Sequence, residues 1–391
     1  MSTPIAPTAR LSGFYFFYFA VIGAFMPYWS LYLEHTGFSK AEIGLLASVT
    51  VVTRIVAPSI WGWLADRSGL RMRWVRLGTV AQLVAWTAIL LLPSTLGYLA
   101  LILLVFSFFQ NAILAQFEAV TLFWLGEQRE RYGVVRLWGS IGFIVAVFAL
   151  GWWFDLTSVA QLPIIMIGLA SLAVINAYLI QEPPRQQHGM LEQVASIRHV
   201  LLRPRVMLFF ALEFLLLLSH APFYSFYSNY MQAAGYSTDM IGLLWAVGVL
   251  AEVLMFTQTQ RILARYRERG LILCCLGLTV IRWMLVALFA DLLWVQLLAQ
   301  SCHAFSFALF QALAMRLIFQ EFSASQQGRG QAAFSMIWGL GVALGSLMGG
   351  AIWDQVGGDR VFALAAGVCA LAVWLCWAYW PRGLSVSSAG Q

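Results

Sequence analysis

Gly37-Phe38-Ser39-Lys40-Ala41-Glu42-Ile43-Gly44-Leu45-Leu46 returns 198 residues later as Gly235-Tyr236-Ser237-Thr238-Asp239-Met240-Ile241-Gly242-Leu243-Leu244. The glycine, the serine and the Ile-Gly-Leu-Leu run keep their places in both copies. At the same offset Tyr28-Trp29-Ser30-Leu31-Tyr32 lies over Phe226-Tyr227-Ser228-Asn229-Tyr230, and Trp138-Gly139 lies over Trp338-Gly339 at an offset of 200. The chain therefore reads as two similar halves joined end to end. Composition sets the medium: of 391 residues, 61% are hydrophobic and 10% charged, against roughly 45–50% and about 25% in soluble domains. With 23 Lys and Arg and 17 Asp and Glu, there is too little charge to coat a water-soluble fold of this size. A soluble enzyme, a nucleic-acid binder and a disordered chain are excluded, and a polytopic membrane protein remains. The apolar runs are too continuous for the alternating strands of a β-barrel.

Hydrophobic runs of membrane-spanning length, about 20 residues, cover 11–35, 41–65, 74–93, 97–126, 131–154 and 160–181. They resume at 206–233, 239–262, 270–290, 292–322, 330–353 and 360–380. The polar break between the sixth and seventh begins Gln181-Glu182-Pro183-Pro184-Arg185, and paired prolines end a helix. The expected fold is an all-α integral membrane protein of twelve transmembrane helices in two pseudo-symmetric six-helix bundles. These are residues 1–181 and 206–391, the latter with a short tail, joined by a cytoplasmic linker, 182–205.

Orientation follows from arginine, which concentrates in cytoplasmic loops. The even-numbered loops hold Arg67, Arg71, Arg73 and Arg76; Arg129 and Arg131; Arg185, Arg198, Arg203 and Arg205; Arg261, Arg265, Arg267 and Arg269; and Arg329. The tails add Arg10 and Arg382, whereas the odd loops hold only Lys40 and Arg360. Both termini are thus expected in the cytoplasm, and the net charge of +6 is topogenic and implies no nucleic-acid partner. A polar, Pro-containing start followed by an apolar run too long for an h-region reads as a first membrane helix, not a cleaved signal. Cys274, Cys275, Cys302, Cys369 and Cys376 lie in apolar runs, without metal-site or disulfide spacing. They read as small packing residues, and no metal or cofactor is expected.

Between the second and third runs stands Gly62-Trp63-Leu64-Ala65-Asp66-Arg67-Ser68-Gly69-Leu70-Arg71. It resembles the loop motif G-x-L-A-D-R-x-G-x-R of the major facilitator superfamily, whose architecture is a parallel repeat of six spans. The resemblance implies that Gly62, Asp66, Arg67, Gly69 and Arg71 support a cytoplasmic gate. Asp66 can then face a neighbouring helix N-terminus, where an anion is favoured. The second-half counterpart, Gln260 to Arg267, keeps only the arginines. Further segments are similar to the bacterial 3-phenylpropionate permease group of that superfamily. They are Phe25-Met26-Pro27-Tyr28-Trp29-Ser30, Tyr132-Gly133-Val134-Val135-Arg136-Leu137-Trp138-Gly139-Ser140 and Ala234-Gly235-Tyr236-Ser237, extended by Gly248-Val249, Ala251-Glu252-Val253 and Arg282-Trp283. That similarity implies a proton-coupled importer of an aromatic carboxylate in the bacterial inner membrane.

A charged side chain at mid-bilayer costs about 2.5–3.5 kcal/mol on insertion scales. Arg54, Glu118, Arg136, Glu213, His220, Glu252, Arg282, His303 and Arg316 each need a reason to be there. Residues equidistant from a hairpin turn share a depth. Glu118 and Arg136 centre on position 127, at the turn between spans 4 and 5. Glu252 and Arg282 centre on 267, and Arg282 and His303 between 292 and 293. Glu118 can therefore face Arg136 across one hairpin, and Glu252, Arg282 and His303 share a level. Each set either fastens helices together or does the work of transport.

This layout resembles lactose permease. There an acid in span 4 and an Arg in span 5 bind substrate, and Glu, Arg and His in spans 8, 9 and 10 couple protons. Those places here hold Glu118, Arg136, Glu252, Arg282 and His303. Ser306 stands where lactose permease has a carboxylate one turn after the span-10 His, and Phe143 replaces its sugar-stacking Trp. Its Asp–Lys pair between spans 7 and 10 has no clear equivalent. Arg54, which the repeat lays over Glu252, meets no acid at its depth on span 3. It suits a substrate carboxylate through charge-assisted hydrogen bonds, or else pairs with an acid from a more distant helix. Aromatic stripes run along span 1 (Tyr18, Phe25, Trp29, Tyr32) and span 7 (His220, Tyr224, Tyr227), and either pack or line a wet cavity. Gly341, Gly345 and Gly349 form a small-residue ridge on span 11.

The chain is thus expected to be a secondary transporter working by alternating access, and not an enzyme. Arg54, Glu118, Arg136, Phe143, Trp29, Tyr32, Tyr224 and Tyr227 are the substrate candidates. Glu252, Arg282, His303 and His220 are the proton-coupling candidates. Expected partners are a small organic solute, protons and the lipid bilayer, with the chain acting as a monomer. A proton-coupled sugar or nucleoside symporter stays open as the alternative. A membrane-embedded enzyme or sensor would need a metal-spaced cluster, a nucleophile elbow or a signalling domain, and the sequence holds none. Without a Walker motif, ATP is not the expected driving force.

Overall fold

Pro58 breaks the second span. Its nitrogen carries no proton for the carbonyl four residues back, that of Arg54. The helix divides there into α2 (Lys40–Val52) and α3 (Ala57–Ser68), joined by a tight 3-10 turn, Thr53–Ile55. The computed structural model describes residues 7–184 and 196–381; Arg185, Arg382 and the linker stretch 185–195 lie outside them. The first half also contains α1 (Thr8–His35), α4 (Arg71–Leu91), α5 (Leu96–Leu125), α6 (Tyr132–Leu156) and α7 (Leu162–Leu179). After the short α8 (Arg198–Leu201) come α9 (Pro204–Ala233), α10 (Thr238–Arg265), α11 (Glu268–Leu288), α12 (Leu293–Ser301), α13 (Phe310–Glu321), α14 (Gln327–Val356) and α15 (Gly358–Tyr379). Among the described residues there is no strand.

Among the described residues, eleven helical stretches are long and apolar enough to cross a membrane. The twelfth crossing is the α2–α3 pair, whose pieces of 13 and 12 residues are each too short alone. A second irregularity falls in span 10. A π-helical turn, Ala304–Leu309, separates α12 from α13 directly after His303. Such turns concentrate at functional sites.

The sequence repeat is also a repeat of backbone geometry. Gly37 and Gly235 both take φ +92°, where a side chain would be strained. Each ends its helix in the same way: Phe38 N donates to Leu33 O (3.0 Å), and Tyr236 N to Met231 O (3.1 Å). That six-residue closure is the Schellman cap. Each serine then starts the next helix, with Ile43 N donating to Ser39 O (2.9 Å) and Ile241 N to Ser237 O (3.0 Å).

Contacts group the described residues of Met1–Leu191 with Tyr224–Ala246 in one compact unit, and those of Glu192–Phe223 with Val247–Gln391 in a second. The tip of the α9–α10 hairpin belongs to the first unit because it is hydrogen-bonded there. Asn229 Nδ2 donates to Ser30 O (3.1 Å) and to the Glu34 carboxylate, and Thr238 Oγ1 donates to Gly151 O (2.8 Å). The first unit's core gathers Leu11, Phe14, Tyr15 and Tyr18 of α1 against Ile113, Phe117 and Val120 of α5. In the second unit α14 lies on α9 at glycine-limited distance. A Cβ on Gly341 would stand 2.9 Å from Phe214 O, and one on Gly345 2.5 Å from Leu218 O, as the small-residue ridge implies. Leu91, Leu101, Ile164 and Leu254 are exposed, as faces meeting lipid should be, and Trp152, Trp294 and Trp377 are exposed near helix ends.

Candidate functional site

Arg282, on α11, has no exposed surface. A buried guanidinium needs acceptors for its N–H groups. The second unit provides them from α12 and the π turn. One terminal nitrogen donates to His303 Nδ1 (3.0 Å) and Ser306 Oγ (3.1 Å), the other to Gln300 Oε1 (2.9 Å). The cation also lies 4.5 Å from the ring centroids of Phe223 and Trp283, a favourable cation–π position. Arginine accepts no hydrogen bond, so His303 Nδ1 offers its lone pair and the ring proton sits on Nε2. That nitrogen is 3.8 Å from Glu252 Oε2. The hairpin arithmetic thus places Glu252, Arg282 and His303 together, and the structure does so too. Ser306, at the position of the lost carboxylate, serves as an acceptor for Arg282. His220 adjoins the group, edge-on to Trp283 at 4.8 Å and 6.4 Å from the His303 ring. Its Nδ1 lies 2.8 Å from Leu216 O, so that nitrogen carries the proton.

The helix break in the first unit carries its own polar set. Arg54 is partly exposed and interacts electrostatically with the phenols of Tyr18 and Tyr224. Beside it, Thr53 Oγ1 donates to Ser107 Oγ (3.0 Å) and accepts from Asn111 Nδ2 (2.8 Å). Tyr18 Oη donates to Gln110 O (2.9 Å), and the Gln82 amide donates to the Gln110 side-chain oxygen. Glu118 and Arg136 are coupled through space but do not close the ion pair that their common depth suggests. Glu118 accepts from Tyr132 Oη (3.2 Å), and Arg136 lies over the Phe19 ring at 4.0 Å. A phenol and an aromatic face satisfy the two groups separately.

Four aromatic candidates are packed in the interior of the first unit. Trp29 stacks between Phe25 (5.6 Å) and Tyr32 (5.4 Å), and both Trp29 and Tyr32 are buried. Tyr227 is fully buried, 6.3 Å from Trp245, and Phe143 is buried with its backbone against Gly23 of α1. Tyr224 keeps some exposure.

In the Asp66 loop, Gly69 closes α3 through its N–H to Ala65 O (2.9 Å), and Arg67 lies over Trp63. A Cβ at Gly62 would meet open space. Asp66 pairs with Arg71 (2.6 Å), which also donates to Gln116 Oε1 on α5 (2.6 Å). The anion at a helix N-terminus is Glu182 instead: its two oxygens accept from Met72 N and Arg73 N, each at 2.9 Å, at the start of α4. A cavity of about 250 Å³ lies among Asp66, Arg71, Arg129, Glu182 and Pro183. Charge and aromaticity did not single out Glu182, Gln82, Gln110, Asn111 or Gln300. For the four amides, the signal was a carboxamide inside an apolar run, without an adjacent amide at Gln82 and Gln300 and paired at Gln110-Asn111.

The model of the MFS_1 like family matches residues 8–364. The chain belongs to this family. It is a multi-pass membrane transporter of the major facilitator type and not an enzyme. A relative in Escherichia coli (strain K12), named probable 3-phenylpropionic acid transporter, is 30% identical over 379 residues, 92% of this chain and 95% of the relative. Maltose permease of Geobacillus stearothermophilus is 26% identical over 357 residues, with 89% of each chain covered. A mutant form of nucleoside transporter NupG, solved by crystallography, aligns with a TM-score of 0.86 over 96% of this chain and 100% of that one. At 18% identity, the NupG comparison speaks for the fold of this transporter alone.

Proposed function

We propose that this transporter is a proton-coupled symporter of a small aromatic carboxylate, working by alternating access as a monomer in the bacterial inner membrane. Both termini are assigned to the cytoplasm, on the side of the arginine-rich helix ends. The carboxylate rests on one observation: Arg54 stands where Pro58 breaks a membrane helix, in a polar set built from Tyr18, Thr53, Gln110 and Asn111. Broken helices expose donors and acceptors of the kind that bind ions and substrates. The printed name of the Escherichia coli relative points the same way. Proton coupling is assigned to Glu252, His303 and Arg282, a titratable pair beside a fixed cation.

A second reading is a neutral sugar or nucleoside as cargo. The side-chain amides of Gln82, Gln110 and Asn111 favour it, because carboxamides pair with hydroxyls and bases as readily as with acids. Relatives named maltose permease and putative nucleoside transporter add weight. Proteoliposome uptake separates the readings. Labelled 3-phenylpropionate should accumulate under an inward proton gradient, collapse with a protonophore and ignore maltose and uridine. Uptake that persists under protonophore but requires sodium would remove proton coupling. Maltose or uridine uptake without 3-phenylpropionate uptake would favour the second reading.

The Asp66 loop is assigned to gating. Asp66→Asn removes the charged partner of Arg71, leaves its bond to Gln116 and touches neither polar set. Turnover in exchange assays should slow while equilibrium affinity stays at the wild-type value. A large loss of affinity at unchanged turnover would place Asp66 in the substrate site instead.

A further inference from the structure

Glu213, on α9, is 1% exposed, and neither of its carboxylate oxygens has a hydrogen-bond partner among the described residues. Other acids of the second unit are provided for. Glu268 and Glu321 hold Arg205 and Arg203, and Glu252 lies beside His303. An isolated carboxylate sealed in an apolar interior does not stay ionised, because the desolvation penalty is relieved by taking up a proton. Its neighbours are known from the helix face it shares. Phe209, Glu213, Leu216, His220 and Phe223 follow one another at three- and four-residue spacing along one side of α9. Phe209 below stacks on Phe310 (5.4 Å) and meets Trp380 (6.3 Å), and His220 above meets Trp283 (4.8 Å). Glu213 therefore stands between an aromatic floor and the histidine group.

The charged and titratable groups on the surrounding elements are otherwise engaged. On α9, Arg205 is held by Glu268 and Glu321, and His220 bonds Leu216 O. On α11, Arg282 donates to His303, Ser306 and Gln300, and Cys275 is buried. Arg316 of α13 donates to Leu263 O (2.8 Å). On α15, Cys369 donates to Leu276 O and Cys376 is buried, and α14 has no charged residue between Arg329 and Asp354.

We propose that Glu213 is a proton-binding site of the transporter, occupied in this conformation and emptied in another. Its place in coupling rests on the proton-symport reading above. The glycine-limited contact of α14 with α9, at Phe214 and Leu218, allows the two helices to shift without side-chain collision and so to change the surroundings of Glu213. The released proton passes toward His220, about 10 Å along the helix axis, through water admitted in the second conformation. From there His303 and Glu252 lead to the partly exposed edge of the group.

Infrared spectra of the reconstituted wild type and of Glu213→Gln test the occupied state directly. The wild type should show the carbonyl band of a protonated carboxylic acid that the variant lacks. Hydrogen–deuterium exchange of α9, corrected for the intrinsic pH dependence of amide exchange, should quicken with rising pH in the wild type as Glu213 loses its proton, and show no such excess in Glu213→Gln. Glu213→Met serves as a second variant if the glutamine form does not fold, again with no excess expected. No acid carbonyl band in the wild-type difference spectrum, or a corrected pH response of α9 that both variants share with the wild type, overturns the site. Wild-type uptake of 3-phenylpropionate that survives a protonophore overturns the coupled reading alone and leaves the infrared band in place.

Discussion

Arg54→Gln is expected to weaken binding of an aromatic carboxylate by roughly ten- to a hundredfold while leaving binding of the matching amide unchanged. A hydrogen bond to a charged group contributes about 1.5–3 kcal/mol, and each 1.4 kcal/mol, roughly, is a factor of ten in affinity. Arg54 sits at the 3-10 turn between α2 and α3, not inside a regular helix, so glutamine disturbs no helical hydrogen bond there. Arg54→Lys should recover part of the loss, since a point charge replaces the attraction but not a two-pronged contact. Arg136→Gln should have the smaller effect, because Arg136 is already over Phe19 and coupled to Glu118. Titration calorimetry with 3-phenylpropionate and its amide measures all of these. Wild-type affinity for the carboxylate in Arg54→Gln would move the anion site elsewhere. Equal wild-type affinity for acid and amide would favour a neutral cargo.

How far the site was legible depended on the kind of signal each residue sends. Glu252, Arg282 and His303 could be set at one level from sequence because a helix rises a fixed 1.5 Å or so per residue and the turns between spans 8, 9 and 10 are marked by charge. Ser39 and Ser237 were legible as equivalent because a repeat preserves helix starts as well as spans. The break at Thr53–Ile55 was not: 41–65 is apolar enough on average to read as one span, and Pro58 has little weight in such an average although it removes the hydrogen bond that matters. The π turn after His303 left no mark in composition either. The stripe of Phe25, Trp29 and Tyr32 has the period of a helix face, but period alone does not say whether the face meets a ligand or Trp86. Here it meets Trp86. Common depth put Glu118 opposite Arg136, yet depth says nothing of rotation about the helix axis, and Tyr132 and Phe19 were nearer partners. Neutral amides such as Gln300 went unnoticed because the search followed formal charge, whereas a buried cation needs acceptors of any kind.

Replacing Arg282 by leucine is expected to be the most damaging single change in the second unit, at about 3 kcal/mol or more, because each buried acceptor left without a donor costs about 1–3 kcal/mol. Three acceptors lose their donor together: His303 Nδ1, Ser306 Oγ and Gln300 Oε1. Water compensates poorly for that loss, since Gln300 and Ser306 are buried and His303 is 8% exposed. The cation over Phe223 and Trp283 goes as well. Detergent-solubilised Arg282→Leu should therefore melt well below the wild type and express poorly. Arg282→Lys separates stability from transport. A lysine keeps the charge and reaches one or two acceptors, but it cannot hold His303 and Gln300 at once with the geometry of a guanidinium fork. The lysine form should fold, and it should lose accumulation because the His303 ring is no longer fixed with its Nε2 proton toward Glu252. Substrate exchange, which need not cycle a proton, should survive in Arg282→Lys. Accumulation at wild-type levels in either variant would show that the Arg282–His303–Glu252 group fastens helices and takes no part in coupling.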